Sequence, residues 1–381
     1  MTLWDDLTGQ SEAVAVLRAA ASRDPDNSAM THSWLLTGPP GSGRSNLAYA
    51  FAAALLSRGD DQEATERQVA ARSHPDLAVL STERVIITIE EVRRLVSSSQ
   101  FSPSVGRYRV VVIEDADRMT ERTSNLLLKA LEEPPPRTVW ILCAPSEADL
   151  IPTIRSRVRS VRLRTPDVSD VAALLVARNG VDRDLALVAA REAQSHIGMA
   201  LRLATNPEAR ARRGRTLETA LGIRSVADAV RAAATLLALA GDDAKAITEE
   251  RDAQEREQAL RSLGVDPGGT VPPALRSQLR ALEDDQKRRA TRSLRDGLDR
   301  IMVDLQSLYR DVLLLQLGVD GDPVNGAILD RLTSAARGST PAATLTVLDA
   351  IATARQRVES NVAPALALEA MLVAVSRHGR A

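Results

Sequence analysis

The sequence is poor in several residue types that mark particular classes of protein. Its 381 residues include a single cysteine, Cys143, so the chain cannot form an internal disulfide or a zinc site built from several cysteines. Aromatic residues make up only 2%, which argues against nucleic-acid binding by stacking bases on aromatic rings. No apolar run approaches the roughly 18–20 residues that span a bilayer. A disulfide-stabilised secreted domain and a membrane-spanning protein are therefore not expected.

An excess of charge of one sign is also missing. The chain has 49 basic and 50 acidic residues and a net charge of −1, so no global field indicates a nucleic-acid or membrane partner. Only three of the basic residues are lysines, and the other 46 are arginines. The acidic start MTLWDDLTGQ lacks the charged and apolar regions of a signal peptide. We therefore expect no signal peptide and a cytoplasmic location.

Short apolar runs alternate with helical patterns over the first 165 residues, which predicts a parallel β-sheet covered by helices. The predicted strands are Ser33–Thr37, Arg109–Ile113 and Thr138–Cys143, with shorter runs at Leu77–Leu80 and Val85–Ile89. The predicted helices between them are Ser45–Ser57, Glu90–Ser99, Glu121–Glu132 and Ala148–Arg155.

Only helical patterns follow Pro166. Three short helices are predicted at Val168–Arg178, Asp182–Ala193 and Gly198–Ala204. Longer ones are predicted at Glu208–Leu221, Ser225–Ala240, Lys245–Leu263, Pro273–Leu317, Asn325–Ala336 and Thr340–Ser376, with a Gly- and Pro-rich loop at Gly264–Pro273. We expect three domains: an α/β nucleotide-binding-type domain (1–165), a small helical domain (166–207) and an all-helical C-terminal domain (208–381).

A phosphate-binding loop is predicted between the first strand and its helix. The sequence matches G-x-x-x-x-G-K-[ST] except at the lysine, and its residues are Gly38, Pro39, Pro40, Gly41, Ser42, Gly43, Arg44 and Ser45. Glycines let backbone N–H groups converge on phosphate oxygens, and Ser45 could hold Mg²⁺. Arg44 replaces the lysine either because this chain favours arginine throughout or because the loop no longer organises a γ-phosphate.

An acidic pair, Glu114-Asp115, follows the strand Arg109–Ile113. Acidic residues at this place suit Mg²⁺ binding and water activation in P-loop proteins. Asp117 has a helix N-cap as its alternative interpretation. A basic cluster, Arg210–Arg215, is interpreted as a solvated helix face rather than as a phosphate contact.

Two longer segments resemble the bacterial clamp-loader family of AAA+ proteins. They are Thr123–Thr138 (TSNLLLKALEEPPPRT) and Leu150–Arg157 (LIPTIRSR). Trp4–Gln10 is similar to the family's N-terminal signature, which lies near the adenine in active members, and Arg357–Glu369 is similar to its terminal helix. The resemblance implies an α/β P-loop AAA+ domain, a small helical lid domain and an all-α C-terminal collar domain for oligomerisation.

The resemblance also implies partners and a role. The partners would be the tau/gamma and delta clamp-loader subunits, the sliding clamp and primed DNA, the last reached through the assembly. Ser156-Arg157 matches the family's Ser-Arg pair, in which the arginine acts in trans as a finger on the ATP of the neighbouring subunit. A surface salt bridge is the alternative interpretation of Arg157.

Four positions depart from the pattern of the family's active ATPases. These are Arg44, the Glu-Asp order at Glu114-Asp115, the absence of Thr or Asn in Cys143–Ser146, and Gly198 at the place of a second sensor arginine, for which Arg202 is a weaker candidate. Together they imply a fold retained without efficient ATP hydrolysis. ATP or ADP binding is expected to be weak or absent, with Mg²⁺ bound only alongside a nucleotide.

No zinc is expected. Many relatives carry a four-cysteine zinc module after the phosphate-loop helix, but the corresponding interval here, Arg58–Ser73, has no cysteine. His74 alone cannot supply a structural zinc site and is interpreted as a turn residue.

Two other functions remain open. An active, tau/gamma-like AAA+ ATPase would require Arg44 and the Glu114-Asp115 pair to replace the usual residues competently. A P-loop small-molecule kinase would require an acceptor pocket and an arginine-bearing lid, and the C-terminal helices show no such motif.

Overall fold

The computed structural model describes residues 2–23, 28–59, 61–82, 86–262, 276–360 and 362–378. Contacts between residues divide the chain into two units, Met1–Thr205 and Asn206–Ala381. The finer boundaries predicted near residues 165 and 207 stay predictions. Over the described ranges, no helix is both long and apolar enough to cross a membrane.

A five-stranded parallel sheet forms the centre of the N-terminal unit. Its strands are β1 (Ser33–Thr37), β2 (Leu77–Leu80), β3 (Arg109–Ile113), β4 (Thr138–Ala144) and β5 (Arg159–Arg162), in the order β2-β3-β4-β1-β5. The helices are α1 (Ser11–Ala20), α2 (Arg44–Leu56), α3 (Gln62–Ala70), α4 (Ile89–Ser99), α5 (Glu121–Glu132), α6 (Pro152–Arg155), α7 (Val168–Asn179), α8 (Arg183–Glu192) and α9 (Ile197–Thr205). The predicted α/β fold, a parallel sheet with flanking helices, is confirmed.

Both faces of the sheet are buried because successive side chains of a strand point to opposite sides. Leu36 and Ile141 belong to the apolar cluster that includes α1 and α2. Their neighbours Leu35 and Leu142 belong to the cluster on the other face, formed with α4 and α5. This double burial explains why the strands read as continuous apolar runs in the sequence.

The described part of the run Val85–Ile89, residues 86–89, does not form a strand, so that prediction was wrong there. Residues 83–85 lie outside the described part of the chain, and Ile89 begins α4. Thr88 caps the helix: its hydroxyl accepts a hydrogen bond from the Glu91 backbone N–H, and the Glu91 carboxylate accepts from the Thr88 backbone N–H. This capping box is visible in the sequence as Thr-x-x-Glu and outweighs the β-branched composition.

Strand β5 lies at an edge of the sheet and was not predicted from the sequence. Only Val161 of its four residues is buried, so the alternation is too short to read. Its pairing with β1 in parallel, from Trp34↔Arg159 to Thr37↔Arg162, defines it. The predicted helix Ala148–Arg155 is likewise divided, into a 3₁₀ turn (Glu147–Asp149) and α6, which begins at Pro152.

The C-terminal unit consists of helices and connecting loops, with no strand in its described ranges, as predicted. Its helices are α10 (Pro207–Leu221), α11 (Val226–Ser262), α12 (Arg276–Gln316), α13 (Leu329–Arg337), α14 (Pro341–Glu359) and α15 (Pro364–His378). They share one apolar core, to which Leu236, Leu305 and Leu368 contribute. The predicted loop Gly264–Pro273 lies outside the described residues.

Two helix boundaries in this unit differ from prediction. The helices predicted on either side of Gly241 are one continuous helix, α11, since a mid-helix glycine costs only about 1 kcal/mol. Tertiary contacts hold the helix just beyond the glycine: Asp243 pairs with Arg212 at 3.0 Å and with Arg300 at 3.3 Å. Conversely, the long helix predicted over 340–376 is two helices, because Pro364 cannot continue a helix and starts α15 instead.

The interpretation of Arg210–Arg215 as a solvated face was wrong for its central residues. Arg213 is buried and donates to Asp304 at 3.0 Å and to Asn325 at 2.6 Å. Arg212 is mostly buried and pairs with Asp243 and Glu208. These two arginines therefore hold α10 against other helices of the same unit.

Asp76 is a buried anchor in the N-terminal unit. Its carboxylate accepts hydrogen bonds from the backbone N–H groups of Ser104, Val105 and Gly106 at 2.6–2.7 Å and from the Ser104 hydroxyl at 2.9 Å. Burial alone would raise the pKa of Asp76, but these bonds lower it from 3.8 to about 2. The carboxylate therefore fixes the loop between α4 and β3.

We expect Asp76→Asn to destabilise the N-terminal unit by about 3 kcal/mol, because it removes acceptors from buried donors. The contribution of Asp76 is fully present above pH 4 and is lost as the pH falls through about 2, since its folded-state pKa is lowered. Urea unfolding followed by tryptophan fluorescence is the measurement, because Trp4, Trp34 and Trp140 all lie in this unit. The exposed Asp184→Asn is the control, and equal destabilisation by both would contradict the assignment.

Candidate functional site

The phosphate-binding loop joins β1 to α2 at the carboxyl edge of the sheet. Gly41 and Gly43 have φ angles of 79° and 92°, a left-handed conformation that glycine adopts without steric cost. Gly43 is the N-cap of α2, and no side chain caps the helix there. The first backbone N–H groups of α2 therefore face the loop without a side-chain acceptor from the N-cap residue. The local backbone is therefore compatible with the predicted phosphate-binding loop.

The small helical segment of the same unit packs directly on this loop. A Cβ added at Gly41 would lie 2.2 Å from the imidazole Cγ of His196, which precedes α9. The buried Gln10 holds the loop from another side: its amide donates to Ser42 O at 3.3 Å and to Arg164 O at 2.8 Å. The mouth of the loop is thus lined by the protein's own side chains.

Arg44 turns back onto the loop that it follows. Its guanidinium Nη1 donates a hydrogen bond to the carbonyl oxygen of Gly38, the first loop residue. The Oγ of Ser42 is buried and has no hydrogen-bond partner among the described residues. The cation that a P-loop aims at phosphate oxygens is therefore bound, in this chain, to the loop backbone.

Glu114 is held by three side chains. Its Oε1 accepts from the Tyr49 hydroxyl and from Arg72 Nη2 at 2.7 Å, and its Oε2 accepts from Ser81 Oγ at 3.1 Å. Burial, together with the bond to Glu114, raises the pKa of the Tyr49 hydroxyl, so it remains a donor. Arg72 adopts a left-handed φ of 55° and also lies over the Tyr49 ring.

The remaining acidic residues lie near Arg44 and the end of β4. Asp115 is 3.8 Å from Arg118. Burial raises the pKa of Asp117, the charge of Asp115 adds to the effect, and Arg118 and Arg44 oppose it. The N-cap interpretation of Asp117 was wrong, since the N-cap of α5 is Thr120, whose hydroxyl accepts from the Thr123 backbone N–H.

Both sensor positions lie beside this site but carry no suitable side chain. Cys143 is fully buried near the end of β4, and burial raises its thiol pKa to about 12. Gly198 is in the first turn of α9, and a Cβ there would lie 3.6 Å from the His196 ring. Position 198 therefore faces the side of the helix that carries the loop contact, whereas Arg202 is one turn further along.

Ser156 and Arg157 lie elsewhere, immediately before β5 and therefore at the amino edge of the sheet. Arg157 Nε donates to Glu132 Oε1 at 2.7 Å, and Nη2 pairs with the same oxygen. Its Nη1 donates to Thr153 O at 2.7 Å and to Ser156 Oγ at 3.0 Å. Arg157 thus forms a surface salt bridge, which was the alternative interpretation of this residue from the sequence.

The interval Arg58–Ser73, where relatives carry a zinc module, is largely occupied by α3. His74 Nδ1 accepts from the Asp76 backbone N–H at 3.1 Å, and burial lowers the pKa of its ring. No group of three or more His, Cys, Asp or Glu side chains in the described ranges is placed to hold a metal ion. The expected absence of zinc stays a prediction.

The residues around the loop do not fit an Mg²⁺–nucleotide complex poised for hydrolysis. The loop backbone and the unpaired Ser42 Oγ suit a phosphate oxygen. However, the Glu114 carboxylate already accepts bonds from Tyr49, Arg72 and Ser81, and Arg44 is bound to Gly38 O.

Three residues of this site were not found from the sequence. They are His196 over Gly41, and Tyr49 and Arg72 on Glu114. Arg72 gave no local signal, since a positive φ at a non-glycine residue cannot be read from a sequence. His196 lies two residues before Gly198, and the position of its ring depends on the packing of α9.

The parallel sheet, with a glycine-rich loop between β1 and α2, defines a domain with the architecture of a P-loop α/β protein. Residues 9–167 match the protein family described as DNA polymerase III, delta subunit. The chain is 39% identical over 134 residues to DNA polymerase III subunit delta' (delta-prime) of Pseudomonas aeruginosa, a match that covers 33% of this chain and 41% of that protein. The predicted resemblance to the clamp-loader family is confirmed over this segment, and the subunit that it resembles is delta-prime.

More distant matches are broader. The chain is 27% identical over 222 residues to DNA polymerase III subunit tau/gamma of Haemophilus influenzae, covering 52% of this chain and 30% of that protein. A DNA polymerase III gamma subunit-related protein from Thermotoga maritima superposes over 91% of this chain and 95% of its own, with 16% identity and a TM-score of 0.40. The sequence matches cover 41% of the Pseudomonas protein and 30% of the Haemophilus protein, so the chain spans less than half the length of these two relatives.

We expect Gly41→Ala to destabilise the N-terminal unit by about 2–4 kcal/mol, through its positive φ and the overlap with His196. Gly43→Ala is the matched control: its φ is also positive, but the nearest atom is Leu7 Cδ2 at 3.8 Å, so it costs only about 1–2 kcal/mol. Urea unfolding followed by tryptophan fluorescence measures both. In a His196→Ala background the two costs converge; a difference that persists there contradicts the contact.

Proposed function

We propose that the chain is the delta-prime subunit of a bacterial replicative clamp loader. In this role it is a largely non-hydrolysing stator that supplies Arg157 in trans to ATP on a neighbouring tau/gamma subunit. With the delta subunit it helps load the sliding clamp onto primed DNA. The match of residues 9–167 to the DNA polymerase III delta family and the delta-prime relative support this proposal.

The placement of Arg157 carries the proposal. Arg157 precedes β5, whose first residue Arg159 pairs with Trp34 at the start of β1, whereas the phosphate loop follows the end of β1. A five-residue strand spans about 16 Å, so the arginine and the chain's own loop are at opposite edges of the sheet. A finger at this edge is suited to a nucleotide outside its own chain.

The contacts of the loop support the proposal that nucleotide binding is weak or absent and that ATP hydrolysis is inefficient. Arg44 binds Gly38 O, and Glu114 is committed to Tyr49 and Arg72. Gly198 supplies no arginine at the second sensor position, and Cys143 is a buried, protonated thiol. Mg²⁺ would bind only together with a nucleotide.

An active, tau/gamma-like ATPase is the second candidate, favoured by the longer but less identical tau/gamma match. It requires Glu114 to leave its three partners and Arg44 to leave the loop backbone. The two candidates differ in ATP turnover by the isolated chain.

We expect Arg157→Ala to lower ATP turnover at the neighbouring site by about 10³-fold or more, since a trans arginine stabilises transition-state charge. The measurement is DNA- and clamp-stimulated phosphate release by an assembly reconstituted with tau/gamma and delta. Arg155→Ala is the control, because Arg155 is exposed and has no described side-chain contact. An unchanged rate with Arg157→Ala would show that this residue is not the finger.

We expect no multiple-turnover ATP hydrolysis by the isolated chain, and none after Arg44→Lys, because Glu114 remains bound to Tyr49 and Arg72. Phosphate release with Mg²⁺ and ATP is measured, with the tau/gamma subunit as the positive control. Rapid hydrolysis by the isolated wild-type chain would favour the tau/gamma-like candidate instead.

A further inference from the structure

The guanidinium of Arg157 is almost fully occupied within its own chain. Arginine has five N–H donors, and four contacts use them: Nε and Nη2 on Glu132, and Nη1 on Thr153 O and Ser156 Oγ. A single donor is left for a phosphate oxygen of another subunit. The side chain must therefore leave at least one of these partners before it can bind such a group bidentately.

Glu132 is the partner best placed to hold the arginine back. It is the last residue of α5, where the negative end of the helix dipole disfavours a carboxylate unless a cation lies nearby. Three prolines, Pro134, Pro135 and Pro136, follow and prevent the helix from continuing. The base of Arg157 is fixed separately, because its backbone N–H donates to Ile154 O at 2.9 Å and Ile154 is buried.

The ion pair is also exposed enough to break. The side chains of Arg157 and Glu132 are 32% and 45% exposed, and exposed pairs change an equilibrium by only about two- to fivefold. A triphosphate, with several negative charges, competes successfully with one carboxylate at this strength. A buried pair would instead fix the arginine permanently.

From this geometry we propose that Glu132 is a latch that holds Arg157 off the neighbouring subunit's ATP until the assembly engages it. This inference rests on the proposed trans role of Arg157. Glu132 acts as a positioning residue, since it touches the arginine and no reacting atom. Its effect is on the assembly in the absence of DNA, where the retracted arginine limits turnover.

The test uses the reconstituted assembly with Glu132→Gln, which keeps the size of the side chain and removes its charge. We expect ATP turnover without DNA to rise about two- to fivefold and the DNA- and clamp-stimulated rate to change less than twofold. Glu133→Gln is the matched control: Glu133 is the adjacent exposed glutamate and has no described side-chain contact. Its basal rate is expected to equal that of the wild type.

A double variant shows whether Glu132 acts through Arg157. We expect Glu132→Gln with Arg157→Ala to have the rate of Arg157→Ala alone. In the isolated chain, we expect the Arg157 Nε–H to exchange faster with solvent in Glu132→Gln than in Glu133→Gln, as read by NMR. This second readout does not depend on activity.

The outcomes separate the latch from the proposed function. A basal rate that is unchanged or lowered by Glu132→Gln, while Arg157→Ala still reduces stimulated turnover, overturns the latch alone. No effect of Arg157→Ala overturns the trans finger itself. An unchanged Nε–H exchange rate in Glu132→Gln also overturns the latch.

Discussion

The parallel pairing of β1 between β4 and β5 is the constraint on which the rest of the N-terminal unit depends. Parallel strands place all their carboxyl ends at one edge and all their amino ends at the other. The phosphate loop, Glu114 and Cys143 consequently meet at one edge, where Gly38 N–H donates to Pro145 O at 3.2 Å. The same register puts Arg157 at the opposite edge. The loop and the arginine of one chain are therefore too far apart to contact the same nucleotide.

At the predicted phosphate loop, the charged side chains already have partners within the protein. Arg44 binds the loop backbone, His196 covers Gly41, and Arg72 and Tyr49 hold Glu114. Each contact is an ordinary hydrogen bond or packing contact. Together they leave the Arg44 guanidinium and the Glu114 carboxylate with hydrogen-bond partners inside the protein. At the other edge the ion pair of Arg157 with Glu132 is partly exposed, which is compatible with the proposed exchange of partners.

Several parts of this arrangement were predictable from the sequence because their signals are local. The apolar strands Ser33–Thr37 and Arg109–Ile113 and the helix Glu121–Glu132 have the predicted bounds, and α2 begins at Arg44, one residue earlier than predicted. Predictions were wrong where tertiary contacts decide: α11 continues through Gly241 because Asp243 pairs with Arg212 and Arg300, and edge strand β5 exists through its pairing with β1.

The sequence by itself determined the class of the fold, the position of the loop, and the Ser156-Arg157 pair with its resemblance to clamp-loader proteins. These depend on periodicity and on short motifs, which are properties of neighbouring residues. Only the tertiary structure decided that Glu114 is bound by Arg72, 42 positions away, and that Arg157 is bound by Glu132, 25 positions away. Such pairs are determined by where strand ends and helix ends meet in space, and no local pattern encodes that distance.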